Sequence, residues 1–354
     1  MLKKAAALFL VGVSMATWVG CGKSVSDYVY AAIPSSSQIV VYREDPNSGV
    51  LTALTGSPFT AGPGVQAIAI HPSKQFLYAA NSGSGDISLF TIGTFGELTE
   101  VTPRTPAGIT PTLLAMDSAG KYLYVGNASS NNISTFSIDA SSGMLTEQGS
   151  PFLTGASPLN MALSPSGNFL YVTISGSPGF VEVLGLTAGI PTTFGPLAQV
   201  GANPYGLVID PSGAHLYVAN SAPDNSISEF TINSDGSLQQ LSGSPIGETY
   251  TSPVSVLVDN SGKYLYVANK GSGNLAAYAI GSDGGLTILT NSPFATNASP
   301  TSIATDPGGK YLFVGNQASN ATIQVFSLDP GSGTLASVSS YSPGSTPTSI
   351  VVIH

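Results

Sequence analysis

The 354-residue sequence has 8% charged residues, a net charge of −9, 41 glycines, 25 prolines and 42% hydrophobic residues. Ordinary soluble domains carry about 25% charged residues. So little charge and so many turn formers exclude long exposed helical faces and point to an all-β fold, while the apolar content excludes a disordered chain. No run of basic residues occurs, which excludes the phosphate neutralisation that nucleic-acid binding requires.

Residues 1–20 read as a lipoprotein-type signal peptide: Met1, Leu2, Lys3 and Lys4, then an apolar stretch from Ala5 to Val19. That stretch is too short for a convincing membrane span. Cys21, the only cysteine, follows Trp18, Val19 and Gly20. The run resembles a bacterial lipoprotein box, with Trp18 where leucine is usual. Ordinary cleavage near Ser14–Ala16 is the alternative, leaving Cys21 incidental. The lipoprotein reading makes the protein exported and held to a membrane of the bacterial cell envelope by a lipid on Cys21. Gly22, rather than Asp, directs it to an outer membrane if the cell has one. Residues 21–26 form a short tether. Without the leader, 8 basic residues face 19 acidic ones, a net charge of −11. No internal disulfide is possible, so the core must hold the fold unaided.

From residue 27 onward the chain repeats. Lys121–Asn127 recurs as Lys263–Asn269 and Lys310–Asn316, with looser copies at Gln75–Asn81, Asn168–Ile174, Ala214–Asn220 and Ser26–Ile33. The second aromatic of each copy is Tyr30, Tyr78, Tyr124, Tyr171, Tyr217, Tyr266 or Phe313, at spacings of 48, 46, 47, 46, 49 and 47. Seven units of that length predict a seven-bladed β-propeller of four-stranded blades over residues 27–354. Strand a follows a proline, as at Pro111, Pro158, Pro204, Pro253, Pro300 and Pro347, with Val65 as the exception. Strand b is the Tyr-Leu-Tyr-Val run. Strand c follows a Gly, Ser and Asn loop, and a hairpin leads to strand d. Alternation of apolar and polar residues is expected throughout. The first unit lacks a strand a, and Pro347–His354 is a strand a with nothing after it. That segment should pair into blade 1 and close the ring, removing exposed edges.

The repeat also sorts the polar residues. His71 aligns with Asp117, Ser164, Asp210, Asp259 and Asp306 in the turn after strand a, where such residues serve the backbone. His215 aligns with the first aromatic of strand b, and His354 ends the chain. All three histidines, and the aspartates, read as structural. So do Asn81, Asn127, Asn220, Asn269 and Asn316 at the ends of strands b, whose amides can satisfy loop backbone. Asp45–Gly49 lacks the downstream glutamate of a calcium loop and matches the hairpin at Asp329–Gly333. No zinc set and no nucleophile-elbow serine motif occurs in the mature chain. No cofactor and no metal is expected.

Residues that depart from the repeat near the loops between strands d and a, or b and c, are the site candidates. Arg104 and Glu248 are the catalytic candidates, since an arginine there could polarise a carbonyl beside a carboxylate base. Tyr205, Tyr250, Lys270, Asp86 and Asp224 are the ligand-binding candidates.

The run Asp210–Asn220, the strand Ile227–Phe230 and the start of strand d at Gly236–Leu238 are similar to the seven-bladed lactonase family, which includes 6-phosphogluconolactonase-like and carboxymuconate cyclase-like proteins. Tyr171–Ile174 also resembles the Tyr-Val-Thr-Asn repeats of microbial surface propellers. The lactonase resemblance implies lactone hydrolysis in a polar pocket of His, Arg and acidic residues, but no segment reproduces that set residue by residue. Two readings follow: a lactonase-type hydrolase, or a non-catalytic surface propeller. The first takes a lactone at the channel mouth, and the second a protein, glycan or small ligand. In both the chain is a monomer that binds no nucleic acid.

Overall fold

A computed structural model describes residues 27–247, 249–318 and 320–354. The signal-peptide and lipidation expectations at residues 1–20 and Cys21 lie outside the described residues. So does Glu248.

The chain folds into seven antiparallel sheets arranged as a propeller. Blade 2 shows the plan: strand a is Val65–Ile70, b is Phe76–Asn81, c is Asp86–Ile92 and d is Leu98–Pro106. In blade 1 the inner strand is Ser349–Ile353, which pairs with Asp27–Ile33 from Tyr28 opposite Ile353 to Ala32 opposite Ser349. The predicted closure by the C-terminal strand is therefore present. In five blades the segment ending in Gly-Ser-Pro-Phe or its variant forms a further short strand on strand c, such as Phe59–Thr60 or Phe294–Ala295.

The expected alternation holds only toward the rim. Strand b of blade 2 is buried along its whole length, and so is that of blade 6 at Tyr264–Asn269. Each sheet is covered on both faces by its neighbours, so strands b read as continuous apolar runs. The seven hydrophobic clusters draw their members from adjacent blades.

The repeated tyrosine latches neighbours together. Tyr78 Oη donates to the carbonyl of Gly143 in the next blade at 2.6 Å, and Tyr217 Oη does the same to Gly284 at 2.8 Å. Tyr30, Tyr124, Tyr171 and Tyr266 repeat the bond to Gly96, Gly189, Gly236 and Gly333. Burial pushes these phenols up, so they remain donors. The hairpin glycine is required twice over: Gly96 has φ +83°, and a Cβ there would lie 2.4 Å from the Tyr28 ring. Phe313 has no hydroxyl, so the joint between blades 7 and 1 lacks the latch. There Lys310 Nζ donates to Pro46 O at 2.8 Å and Tyr341 Oη accepts from Leu51 N at 2.8 Å.

The turn aspartates serve the backbone, as expected. Asp306 Oδ1 accepts from the amides of Lys310 and Tyr311, and Asp259 Oδ1 from Lys263 and Tyr264. His71 takes the same place, with Nε2 2.9 Å from Gly120 O. His215 packs beneath Gly284 as the other blades' aromatics do, and its Nδ1 lies 3.1 Å from Asp210. His354 Nδ1 meets Asp27 Oδ1 at 2.5 Å where the ring closes.

Candidate functional site

Strands a line the central channel, and one end of it opens into a cavity of about 730 Å³. Its walls come from the first residues of strands a and from Ser157, Ser221, Ser252, Lys270 and Ala128 in the adjoining loops. This is the end formed by the loops between strands d and a and between b and c, where ligands were expected.

The proline that opens strand a sets the register. A bulge follows the opening residue in blades 2, 4, 5, 6 and 7, so that successive residues at the start of strand a, and not alternate ones, reach the channel. Those positions include Ala67, Leu113, Asn160, Ser255, Ser302 and Ser349, all on the cavity wall. One layer deeper, Ile68, Leu114, Met161, Ile303 and Ile350 give an apolar floor. The wall is mixed around the ring: blades 6, 7 and 1 contribute Ser255, Ser302 and Ser349 beside Val254, Ile303 and Ile350, and blades 3 and 4 contribute Thr112 and Asn160 beside Leu113, Leu114 and Leu159.

Several of these polar groups are partly committed. Thr348 Oγ1 donates to Gln66 O at 2.8 Å, and Thr301 Oγ1 donates to Pro347 O at 2.8 Å, tying neighbouring strands a. Asn160 Nδ2 donates to Tyr205 O at 2.9 Å. Ser302 differs: it is 8% exposed, lines the cavity, and its Oγ has no partner among the described residues. Buried hydroxyls rarely stay unpaired. Lys270 is half-buried on the same wall, and no described carboxylate lies within 4 Å of its ammonium.

Of the sequence candidates, Lys270 and Tyr205 line the cavity, and Tyr205 is 44% exposed to it and to solvent. Arg104 does not. It lies on strand d of blade 2, with Nε 2.7 Å from Glu100 Oε1 and Nη2 3.3 Å from Oε2. That bond holds its guanidinium above the ordinary range. Glu100 Oε1 also accepts from Ser88 Oγ at 2.7 Å, and Ser88 Oγ accepts from Asn81, so Arg104 ends a structural network. Asp86 accepts from Asn81 Nδ2 at 2.7 Å within that network. Asp224 accepts from Ala202 N at 2.6 Å and serves a loop. Tyr250 packs against the apolar cluster shared by blades 5 and 6. The structure thus brings together two of the six candidates among the described residues. Asn160, Ser255 and Ser302 escaped notice, although counting two residues on from each strand-a proline would have found them.

A family model described as "Lactonase, 7-bladed beta-propeller" matches residues 52–159 and 244–352, more than half of the chain. The chain belongs to the seven-bladed lactonase family. No curated protein matches it. Among solved structures, a candidate 6-phosphogluconolactonase from Bacteroides uniformis superposes with TM-score 0.81 at 20% identity, covering 93% of this chain and 99% of the other. A protein from Lactobacillus plantarum gives TM-score 0.80 at 20% identity, with coverage of 93% and 99%. A periplasmic gluconolactonase of Pseudomonas aeruginosa gives TM-score 0.75 at 20% identity, again covering 93% and 99%. These likenesses concern the fold.

Within the lactonase family the resemblance implied His, Arg and acidic groups in the pocket. In this member the described wall carries Lys270 as its one charged side chain, set among hydroxyls and amides. No cluster of three His, Cys, Asp or Glu able to hold a metal occurs among the described residues.

Proposed function

We propose that this lactonase-family propeller binds a small polyhydroxylated ligand bearing one carboxylate or a lactone carbonyl in its channel. The chain is exported and lipid-anchored at Cys21, on the sequence reading given above. The observation that carries the ligand class is the wall itself. Lys270, whose ammonium has no carboxylate partner among the described residues, shares the cavity wall with serine and threonine side chains that include Ser302, whose hydroxyl has no partner among the described residues. A charge-assisted bond from lysine to a carboxylate or carbonyl oxygen fixes one end of such a ligand, hydroxyls receive its own hydroxyls, and the apolar floor takes a ring face. A phosphorylated ligand fits less well, since a single cation faces two negative charges.

Ring opening is the second reading, and family membership favours it. Lys270 can polarise a lactone carbonyl against attack by water. General-base activation of that water needs a group that the described wall does not supply. The gluconolactonase named among the solved structures makes gluconolactone the first compound to try.

The test is one experiment with two readouts. The mature protein is mixed with a panel of sugar lactones and the corresponding hydroxy acids, and both heat of binding and lactone loss are followed. Binding that Lys270→Ala weakens about tenfold or more, and that Arg104→Ala leaves unchanged, supports the site. Turnover abolished by Lys270→Ala establishes the hydrolase reading. Neither binding nor turnover across the panel overturns both.

A further inference from the structure

Both ends of the propeller expose apolar side chains, and the tether chooses between them. Strand b of blade 1 begins at Asp27 and runs antiparallel to Ser349–Ile353, whose first residues line the cavity. Asp27 therefore lies at the end of the channel opposite the cavity. The hairpins between strands c and d lie at that same end: Asp27 pairs with Glu44, and the blade 1 hairpin follows directly.

On blades 1, 2 and 3 these hairpins expose apolar side chains. Val50 is 45% exposed, Phe95 is 70% and Met144 is 55%. The counterpart of Phe95 is Asp235 in blade 5 and Asp283 in blade 6, and the counterpart of Val50 and Met144 in blade 7 is Thr334. At this end the strongly exposed apolar hairpin residues therefore lie on the side of the ring where the chain enters, with Ile190 half-buried in the blade 4 hairpin, while Leu153 and Ile109 are exposed at the cavity end. The contact is close: Gly96, next to Phe95, accepts the Tyr30 hydroxyl at 3.0 Å and lies under the Tyr28 ring.

The sequence places the lipid on Cys21, six residues before Asp27. Six extended residues span about 20 Å. A compact body of this size is roughly 50 Å across. Such a tether cannot carry the lipid around to the cavity end, and it holds the hairpin end at the headgroups. We propose that the hairpin face of blades 1–3, centred on Phe95, lies in the interfacial region of the bilayer, so that the ligand cavity opens away from the membrane.

Exposed charges of both signs flank the arc: Arg43, Lys74, Lys121 and Lys310, the last bonded to the blade 1 hairpin, with Asp45 and Asp139. Contact therefore draws mainly on apolar insertion and the lipid.

The inference rests on lipidation at Cys21, and the test separates the two. The one tryptophan, Trp18, leaves with the signal peptide, so a single introduced tryptophan is a clean probe. Full-length Phe95→Trp and Ile109→Trp are produced in a bacterium that lipidates its exported proteins. Ile109 is 68% exposed in the loop before strand a of blade 3, at the cavity end. Mass spectrometry of the N-terminal peptide reads lipidation, and an unmodified Cys21 overturns the anchor and this inference with it. The lipidated proteins are then placed in phosphatidylcholine vesicles with or without brominated acyl chains. Emission from position 95 should shift to the blue and fall roughly twofold on brominated vesicles, with position 109 unaffected. Lipidated protein whose position 95 is not quenched, or is quenched no more than position 109, refutes the orientation and leaves the anchor standing.

Discussion

Glu44 gives the sharpest test of how the ring closes. It is 1% exposed at the joint of blades 7 and 1, and neither carboxyl oxygen has a partner among the described residues. Burial first, then the nearby carboxylates Asp306 and Asp27, push its carboxyl up to about 8. Its unfolded value is the ordinary 4.5. A carboxyl raised on folding binds its proton more tightly in the native state. Its contribution is therefore fully present below about pH 4.5 and is lost as pH rises through about 8. A gap of that size is worth about 5 kcal/mol across the window. Glu44→Gln keeps the shape of the protonated side chain and removes the titration. The variant should match the parent within about 1 kcal/mol at pH 4.5, and exceed it by a few kcal/mol at pH 9. Glu182 and Glu229, also raised by burial, are common to both proteins and cancel in the difference. Urea unfolding at pH 4.5, 7 and 9 measures it. Stability curves that run parallel over that range would show that Glu44 is solvated or paired in solution and would refute the reasoning.

Three other outcomes follow from the ring. Tyr217→Phe removes a 2.8 Å bond and leaves a buried carbonyl unpaired, which should cost about 1–3 kcal/mol in chemical denaturation with no effect on ligand binding. Phe313→Tyr should do the reverse: a hydroxyl there would reach toward Gly49, the counterpart of the latch glycines, and raise stability by about 1 kcal/mol in the same assay. Deletion of residues 349–354 removes the inner strand of blade 1 and should abolish the single cooperative transition, whereas loss of one local element would leave most of the circular dichroism signal intact.

Much of the architecture was legible because the repeat prints it. Spacing of Tyr30, Tyr78 and their counterparts counted the blades, and the unpaired strand at Pro347–His354 announced the closure. The same alignment demoted His71 and the turn aspartates, which the structure places on backbone amides and carbonyls. The site was less legible. Arg104 stood out as a rare charge, yet its partner Glu100 is four residues away on the same rim strand, a local pairing that distance from the repeat could not reveal. The cavity is instead lined largely by ordinary serine, threonine, asparagine and aliphatic side chains whose distinction is their place at the bulged start of an inner strand. Sequence shows a serine at Ser302; only packing shows that its hydroxyl is enclosed and unpaired.

Pairing of Tyr28 with Ile353 joins residues more than 300 positions apart. Contacts of such range are the slowest to form. Until the final strand has been synthesised, strand b of blade 1 has an open hydrogen-bonding edge. Blade 1 then cannot complete its sheet, and the flank of blade 7 that it covers stays bare. The ring therefore has no finished intermediate with six blades in place, and folding waits for the last residues. Export as an extended thread, proposed above from the leader, would be helped by that delay, because a product too wide for a pore could not assemble before the thread had passed.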